Sequence, residues 1–104
     1  MKPSLCIINV NGTKILPAAL NAACAIADRF EAILVVDDCS TDDSVALIER
    51  DFPQVRVIRQ PRNRGPGAAR NAGMRQAPTD VVIVMDNDVA LTTGCVEHLV
   101  AALA

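Results

Sequence analysis

Ala32-Ile33-Leu34-Val35-Val36-Asp37-Asp38 is an unbroken apolar run that ends in two acids, and the chain repeats the device at Val81-Val82-Ile83-Val84-Met85-Asp86-Asn87-Asp88. Short apolar runs without polar alternation are the pattern of strands buried on both faces. Such strands belong to parallel sheets covered by crossover helices, in which ligands collect beyond the carboxyl ends of the strands. Both acid clusters therefore stand where a ligand would bind. Between them no acid occurs from residue 52 to residue 79, whereas Arg56, Arg59, Arg62, Arg64, Arg70 and Arg75 all fall in that stretch. Carboxylates hold a hard divalent cation and arginines hold phosphate oxygens, so the layout suits a metal-bound phosphate ester such as a nucleoside diphosphate.

Outward from these runs, strands and helices alternate. Strands are expected at 5–10, 32–36, 55–58 and 81–85. After Asn11-Gly12-Thr13 a helix places Leu16, Leu20, Ala23 and Ala27 at helical spacing. Ser40 or Thr41 is expected to cap a second helix with Val45, Ile48 and Phe52 on one face. A Gly/Pro-rich loop over 61–67 opens a third helix over 68–76, and Val96, Leu99, Val100 and Leu103 stripe a last one. The order predicts an α/β fold, a parallel-sheet, Rossmann-like three-layer sandwich in a single domain over 1–104, with no internal repeat.

Bulk properties narrow the partners. With two Phe and no Tyr or Trp, stacking of bases on aromatic rings is nearly excluded, so no nucleic-acid partner is expected. The net charge of −2 says little, because the two signs are segregated along the chain. Cys6, Cys24, Cys39 and Cys95 show no C-x-x-C spacing and read as thiols of a reducing compartment. The apolar run after Met1-Lys2-Pro3-Ser4 is too short for a signal peptide or a membrane span. A cytoplasmic location is expected, one peripheral to a membrane included.

Three clusters carry the chemistry. On an extended strand Asp86 and Asp88 point the same way while Asn87 turns aside, which suits Mg²⁺ or Mn²⁺ held by carboxylates and substrate phosphates. Isolated acids at strand ends also occur as plain turn residues; the parallel placement of Asp37-Asp38 favours a site. Adjacent Asp37 and Asp38 project oppositely, so one is expected in the cleft and the other to brace the loop or the next helix. A carboxylate there can accept a hydrogen bond from a base imide or a ribose hydroxyl. Ser40 to Ser44 reads as helix capping. The segment Asn63-Arg64-Gly65-Pro66-Gly67-Ala68-Ala69-Arg70-Asn71-Ala72-Gly73 offers close backbone approach and a helix start with free N–H groups. It fails as a G-x-G-x-x-G dinucleotide fingerprint, because Arg70 holds the third glycine position and the segment follows the third strand. Arg56, Arg59 and Arg75 read individually as surface charges, and His98 as an exposed bystander.

Ile8-Asn9-Val10-Asn11-Gly12, Val35-Val36-Asp37-Asp38-Cys39-Ser40-Thr41-Asp42-Asp43-Ser44, the 63–73 segment and Met85-Asp86-Asn87-Asp88 resemble, in order and spacing, the nucleotide-binding half of family 2 glycosyltransferases of the GT-A fold. The resemblance spans essentially the whole chain. It implies transfer of a sugar from a nucleoside-diphosphate sugar, with Mg²⁺ or Mn²⁺, to a saccharide, lipid-linked or protein acceptor. It places Asn9 and Asn11 beside the nucleoside and Asp38 on the base, with Asp37 next to it. Asn63, Gly67 and Arg70 would seat the donor, Asp86 would touch the ribose or sugar, and Asp88, with Asp86, would bind the metal. Val10 stands where family members often carry an aromatic residue, implying weaker stacking on the base. The acceptor-binding half and the general base of the family follow the point where this chain ends. The expectation is therefore a truncated transferase that binds donor and metal but turns over little, with exposed apolar surface favouring a homo-oligomer.

Rival readings make different demands. A receiver-like Mg²⁺-binding signalling domain wants its acid pair after the first strand and a late lysine, yet the only lysines are Lys2 and Lys14. A nucleotidyltransferase wants a glycine-rich, basic loop after the first strand, for which Asn11-Gly12-Thr13-Lys14 is sparse. A non-catalytic interaction module would use the fold alone.

Overall fold

The computed structural model describes residues 2–89 and 93–103. Four strands, β1 (Ser4–Asn9), β2 (Ala32–Asp37), β3 (Arg56–Arg59) and β4 (Val82–Asp86), form one parallel sheet in the order β3-β2-β1-β4. Four α-helices connect and follow them: α1 (Leu16–Ala25), α2 (Ser44–Asp51), α3 (Pro66–Gln76) and α4 (Thr93–Leu103). This is the expected α/β three-layer sandwich. β1 and β2, the central strands, are buried along nearly their whole length, whereas Val82, Ile83 and Val84 of the edge strand β4 are only half-buried.

The pleat sorts side chains into two cores. Leu5, Ile7, Ile33, Val35 and Met85 face one way and meet Leu16, Ala19, Leu20 and Ala23 of α1, Ile48 of α2 and Val96 of α4. Cys6, Ile8, Leu34, Val36 and Ile58 face the other way and meet Ala69 and Ala72 of α3. Right-handed crossovers dictate this division: β1 to β2 to β3 steps in one direction across the sheet, and β3 to β4 steps back. Burying Leu16 and Leu20 completely contributes about 1.5–3 kcal/mol each, which anchors α1.

Element ends depart from the sequence reading where side chains intervene. β1 stops at Asn9 because Asn11 takes a positive φ of 49° and turns the chain out. α1 stops at Ala25, and Ala27–Arg29 forms a single 3-10 turn before buried Phe30. α2 begins at Ser44, not at a cap on Ser40 or Thr41, because those two residues bond to the loop after β1. Leu99, Val100 and Leu103 of the expected stripe lie outside the residues whose side chains are described; Val96 is buried.

Candidate functional site

Register alone brings the strand ends together. Asn9 pairs with Asp37, Ile8 with Asp86 and Asp37 with Arg59, so all four strands finish on one edge. β1 lies between β2 and β4, so the strand order reverses beside it, the chain stepping one way from β1 to β3 and back from β3 to β4. That reversal is the topological switch point, where open α/β sheets bind ligands. A recess of about 290 Å³ opens at this place, lined by Ile8, Val10, Asp86, Asn87 and Asp88.

A hydrogen-bonded chain crosses this edge. The Asn87 amide donates to Asn9 Oδ1 at 2.9 Å, and the Asn9 amide donates to Asp37 Oδ1 at 3.0 Å. Ser40 completes the set, its Oγ–H donating to Asp37 Oδ1 at 2.6 Å and its N–H to Asp37 Oδ2 at 2.9 Å. Asn9 is fully buried and Asp37 nearly so. A buried, fully partnered polar chain of this kind fixes geometry, since any broken link leaves a group unsatisfied. Gly12 lies against it: a Cβ there would collide with Asn9 Oδ1 and Asn87 Nδ2, so only glycine fits.

The loop after β2 is stapled to the loop after β1 by Asp42. Thr13 donates its N–H to Asp42 Oδ2 at 3.1 Å, Ser44 donates its N–H to Oδ1 at 3.0 Å, and both hydroxyls add further bonds. Burial pushes the Asp42 carboxyl up, but the bonds from Ser44 and Thr13 outweigh it and hold the pKa at about 2. Asn11 closes the same seam, its Oδ1 accepting the N–H groups of Thr41 at 2.7 Å and Asp42 at 3.2 Å. Asp38 is also buried, and its two oxygens accept the N–H groups of Arg64 at 3.0 Å and Gly65 at 3.1 Å.

The acids thus divide into two kinds. Asp37, Asp38 and Asp42 are engaged within the protein, whereas Asp86 and Asp88 are exposed and their carboxylates make no hydrogen bond or ion pair among the described residues. Two unneutralised carboxylates on one recess set up a local negative field that favours a cation. They come together through a turn rather than through strand alternation: β4 ends at Asp86, and Asp88 lies in a turn closed by Val89 N–H to Asp86 O at 3.4 Å. Among the described residues no group of three His, Cys, Asp or Glu side chains could cage a metal. An all-oxygen pair suits a hard ion such as Mg²⁺ or Mn²⁺ that takes one or two carboxylates and completes its shell with phosphate oxygens and water.

The expected nucleotide contacts distribute unevenly. Both Asp37 and Asp38 brace loops, where one of the two was expected to point into the cleft, and Asn9 is spent on the same internal chain. Asn63, Gly67 and Arg70 are exposed on the loop before α3 and its first turns, and none lines the recess of Asp86 and Asp88. Sequence reasoning missed Asn87 as the link to β1, Ser40 as the partner of Asp37, and Asp42 as the staple. The legible signal for Asp42 was its spacing two residues ahead of Ser44, an Asx-type arrangement.

A model of the family described as Glycosyl transferase family 2 matches residues 4–104. The succinoglycan biosynthesis protein ExoO of Rhizobium meliloti is 40% identical over 79 residues, covering 75% of this chain and 23% of that protein. An undecaprenyl-phosphate 4-deoxy-4-formamido-L-arabinose transferase of Pseudomonas syringae is 41% identical over 93 residues, covering 82% of this chain and 27% of that protein. The chain therefore spans about a quarter of the length of these curated relatives. S. aureus TarS 1–349, solved in complex with UDP, superposes with a TM-score of 0.81 at 28% identity, over 97% of this chain and 31% of that chain.

Proposed function

The chain belongs to glycosyl transferase family 2, and from that premise we propose that the recess at its β1/β4 switch point holds the diphosphate of a UDP-linked sugar, with Mg²⁺ or Mn²⁺, for transfer to a saccharide or lipid-linked acceptor. The observation that carries the proposal is the pair of exposed, unpartnered carboxylates of Asp86 and Asp88 on one recess, beside Asp37, Asp38 and Asp42, which are engaged internally. Uridine is chosen because the TarS relative is solved with UDP.

In this reading Asp88 and Asp86 hold the cation. When bound, the cation neutralises charge that builds on the departing diphosphate. Asn87 and Asn9 are positioning residues that keep the acid pair against β1. The N-terminus of α3 starts at Pro66, close to the carboxyl end of β3, and its free N–H groups and the Arg70 guanidinium favour phosphate oxygens arriving there. For Asp38 to accept from a base imide it has to release the Arg64 and Gly65 N–H groups, so base recognition is coupled to a shift of the 63–67 loop. No general base is assigned among these residues.

Calorimetric titration with UDP, GDP and dTDP, each with and without Mn²⁺, tests the proposal. UDP is expected to bind only with the metal, and Asp88→Ala to abolish that binding. Equal UDP affinity in Asp88→Ala, or binding indifferent to metal, would sink it.

A further inference from the structure

The arginine-rich stretch is only partly absorbed by the donor site. All six of its arginines, Arg56, Arg59, Arg62, Arg64, Arg70 and Arg75, are exposed. They lie on β3, the loop after it and α3, so one flank of the molecule carries no acidic residue of its own. On that flank a second recess of about 200 Å³ is lined by Gln60, Arg64, Ala68, Asn71 and Arg75. It shares no residue with the recess of Asp86 and Asp88. β3 and β4 are opposite edges of the sheet with two strands between them.

The geometry of the second recess follows from helix spacing. Ala68, Asn71 and Arg75 recur on one stripe of α3, and Arg64 precedes its N-cap, Gly65. At a rise of about 1.5 Å per residue the Cα atoms of Arg64 and Arg75 stand on the order of 16 Å apart, too far for contact between their backbones. Helical side chains lean toward the N-terminus, however, so Arg75 is directed over Asn71, and Arg64 borders the same recess from the loop before the helix. Ala68, with no long side chain, leaves the floor open. Gln60 spans from the end of β3 to the first turns of α3, its amide donating to Ala68 O at 3.5 Å.

Two arginines bordering one recess concentrate positive charge there. Neither Arg64 nor Arg75 has an ion pair or a side-chain hydrogen bond among the described residues. The carboxylate nearest in bonding terms, Asp38, is occupied by the Arg64 and Gly65 N–H groups. The site therefore offers two planar forks and two amides, donors in excess, with no internal anion to satisfy them. A tetrahedral phosphate oxyanion matches that set, since guanidinium binds it bidentately and amides complete the remaining oxygens.

We propose that the recess of Gln60, Arg64, Asn71 and Arg75 is a second, metal-independent binding site, for a phosphate group distinct from the donor diphosphate. The phosphate belongs either to a free phosphorylated compound or to an anionic lipid headgroup, which present the same oxygens to the same forks.

The test is NMR titration of the 104-residue chain with inorganic phosphate and pyrophosphate in EDTA, so that metal-bridged binding at Asp86 and Asp88 is silent. A parallel arm measures sedimentation with vesicles of phosphatidylglycerol and phosphatidylcholine against phosphatidylcholine alone. Saturable shifts at residues 60–75 are expected, weakened roughly tenfold in Arg75→Gln and in Arg64→Gln, as loss of a charge-assisted bidentate pair implies. Arg50→Gln, on the opposite face and paired with Asp51, serves as the control and is expected to bind as the unaltered chain does. Phosphate binding without vesicle binding identifies a free phosphorylated ligand; vesicle binding lost in Arg75→Gln without phosphate binding identifies a headgroup. Binding unchanged in both arginine variants, shifts confined to residues 86–88, or no binding in either arm overturns the proposal. Because the donor titration is read with metal and Asp88→Ala, either proposal can fail while the other stands.

Discussion

Asp42 shows how much one side chain can decide without touching a ligand. Its carboxylate joins the loop after β1 to the start of α2 through Thr13 and Ser44, and those bonds hold its pKa at about 2. An unfolded aspartate titrates near 3.9, so the folded value is depressed. The stability it contributes is thus present above about pH 4 and is lost as pH falls toward 2. Urea unfolding at stepped pH is expected to show stability falling across that window, and Asp42→Asn to flatten the fall. Parallel curves for the two chains would refute the assignment. The spelling of 37–44 does not single out Asp42, since the Asp-x-Ser spacing it makes with Ser44 is repeated by Asp38 with Ser40. The roles of the acids there separate only once the register has placed Thr13 and Asn9 beside two of them. Asp86 and Asp88, by contrast, were legible as exposed strand-end acids, because no later element crosses over them among the described residues.

At the scale of elements, periodicity and apolar runs located every strand and helix, and the errors lie at ends. The second helix was placed two or three residues early because Ser40 and Thr41 are good caps in isolation, yet here they are partners of Asp37 and Asn11, and Asp43 precedes the first turn. α3 carries a different lesson. It presents Ala69, Ala72 and Gly73 to the sheet, and a Cβ on Gly73 would collide with Cys6 Sγ and press on Val36 Cγ2 at 3.2 Å. Ala is worth about 1 kcal/mol more than Gly in a helix, but overpacking a full core costs about 1–3 kcal/mol. Cys6 is fully buried in a central strand and cannot retreat. Gly73→Ala is therefore expected to destabilise the fold by about 1 kcal/mol or more in urea unfolding. In a double-mutant cycle Cys6→Ala should recover part of that loss. A neutral or stabilising Gly73→Ala would show that α3 can lift off the sheet without cost.

Across the whole molecule, charge is laid out in space as it is along the chain. The formal net charge is −2, yet six of the ten basic residues share the β3 and α3 flank and none of the twelve acids lies in 52–79. A cation exchanger at pH 7 and low salt is expected to retain the chain despite its net sign. Release should come near physiological ionic strength, where the screening length falls to about 8 Å. Flow-through at low salt would mean that the flank does not act as one field. The seam at the carboxyl edge has a consequence of another sort. Because Asn87, Asn9, Asp37 and Ser40 form one bonded path, the segments after β1, β2 and β4 are not interchangeable parts. A transplant of the 37–44 segment into a relative keeps its acid pair in place only if the recipient also has an amide at position 9 and one at position 87. Any attempt to exchange nucleotide preference by grafting loops has to move these residues as a set.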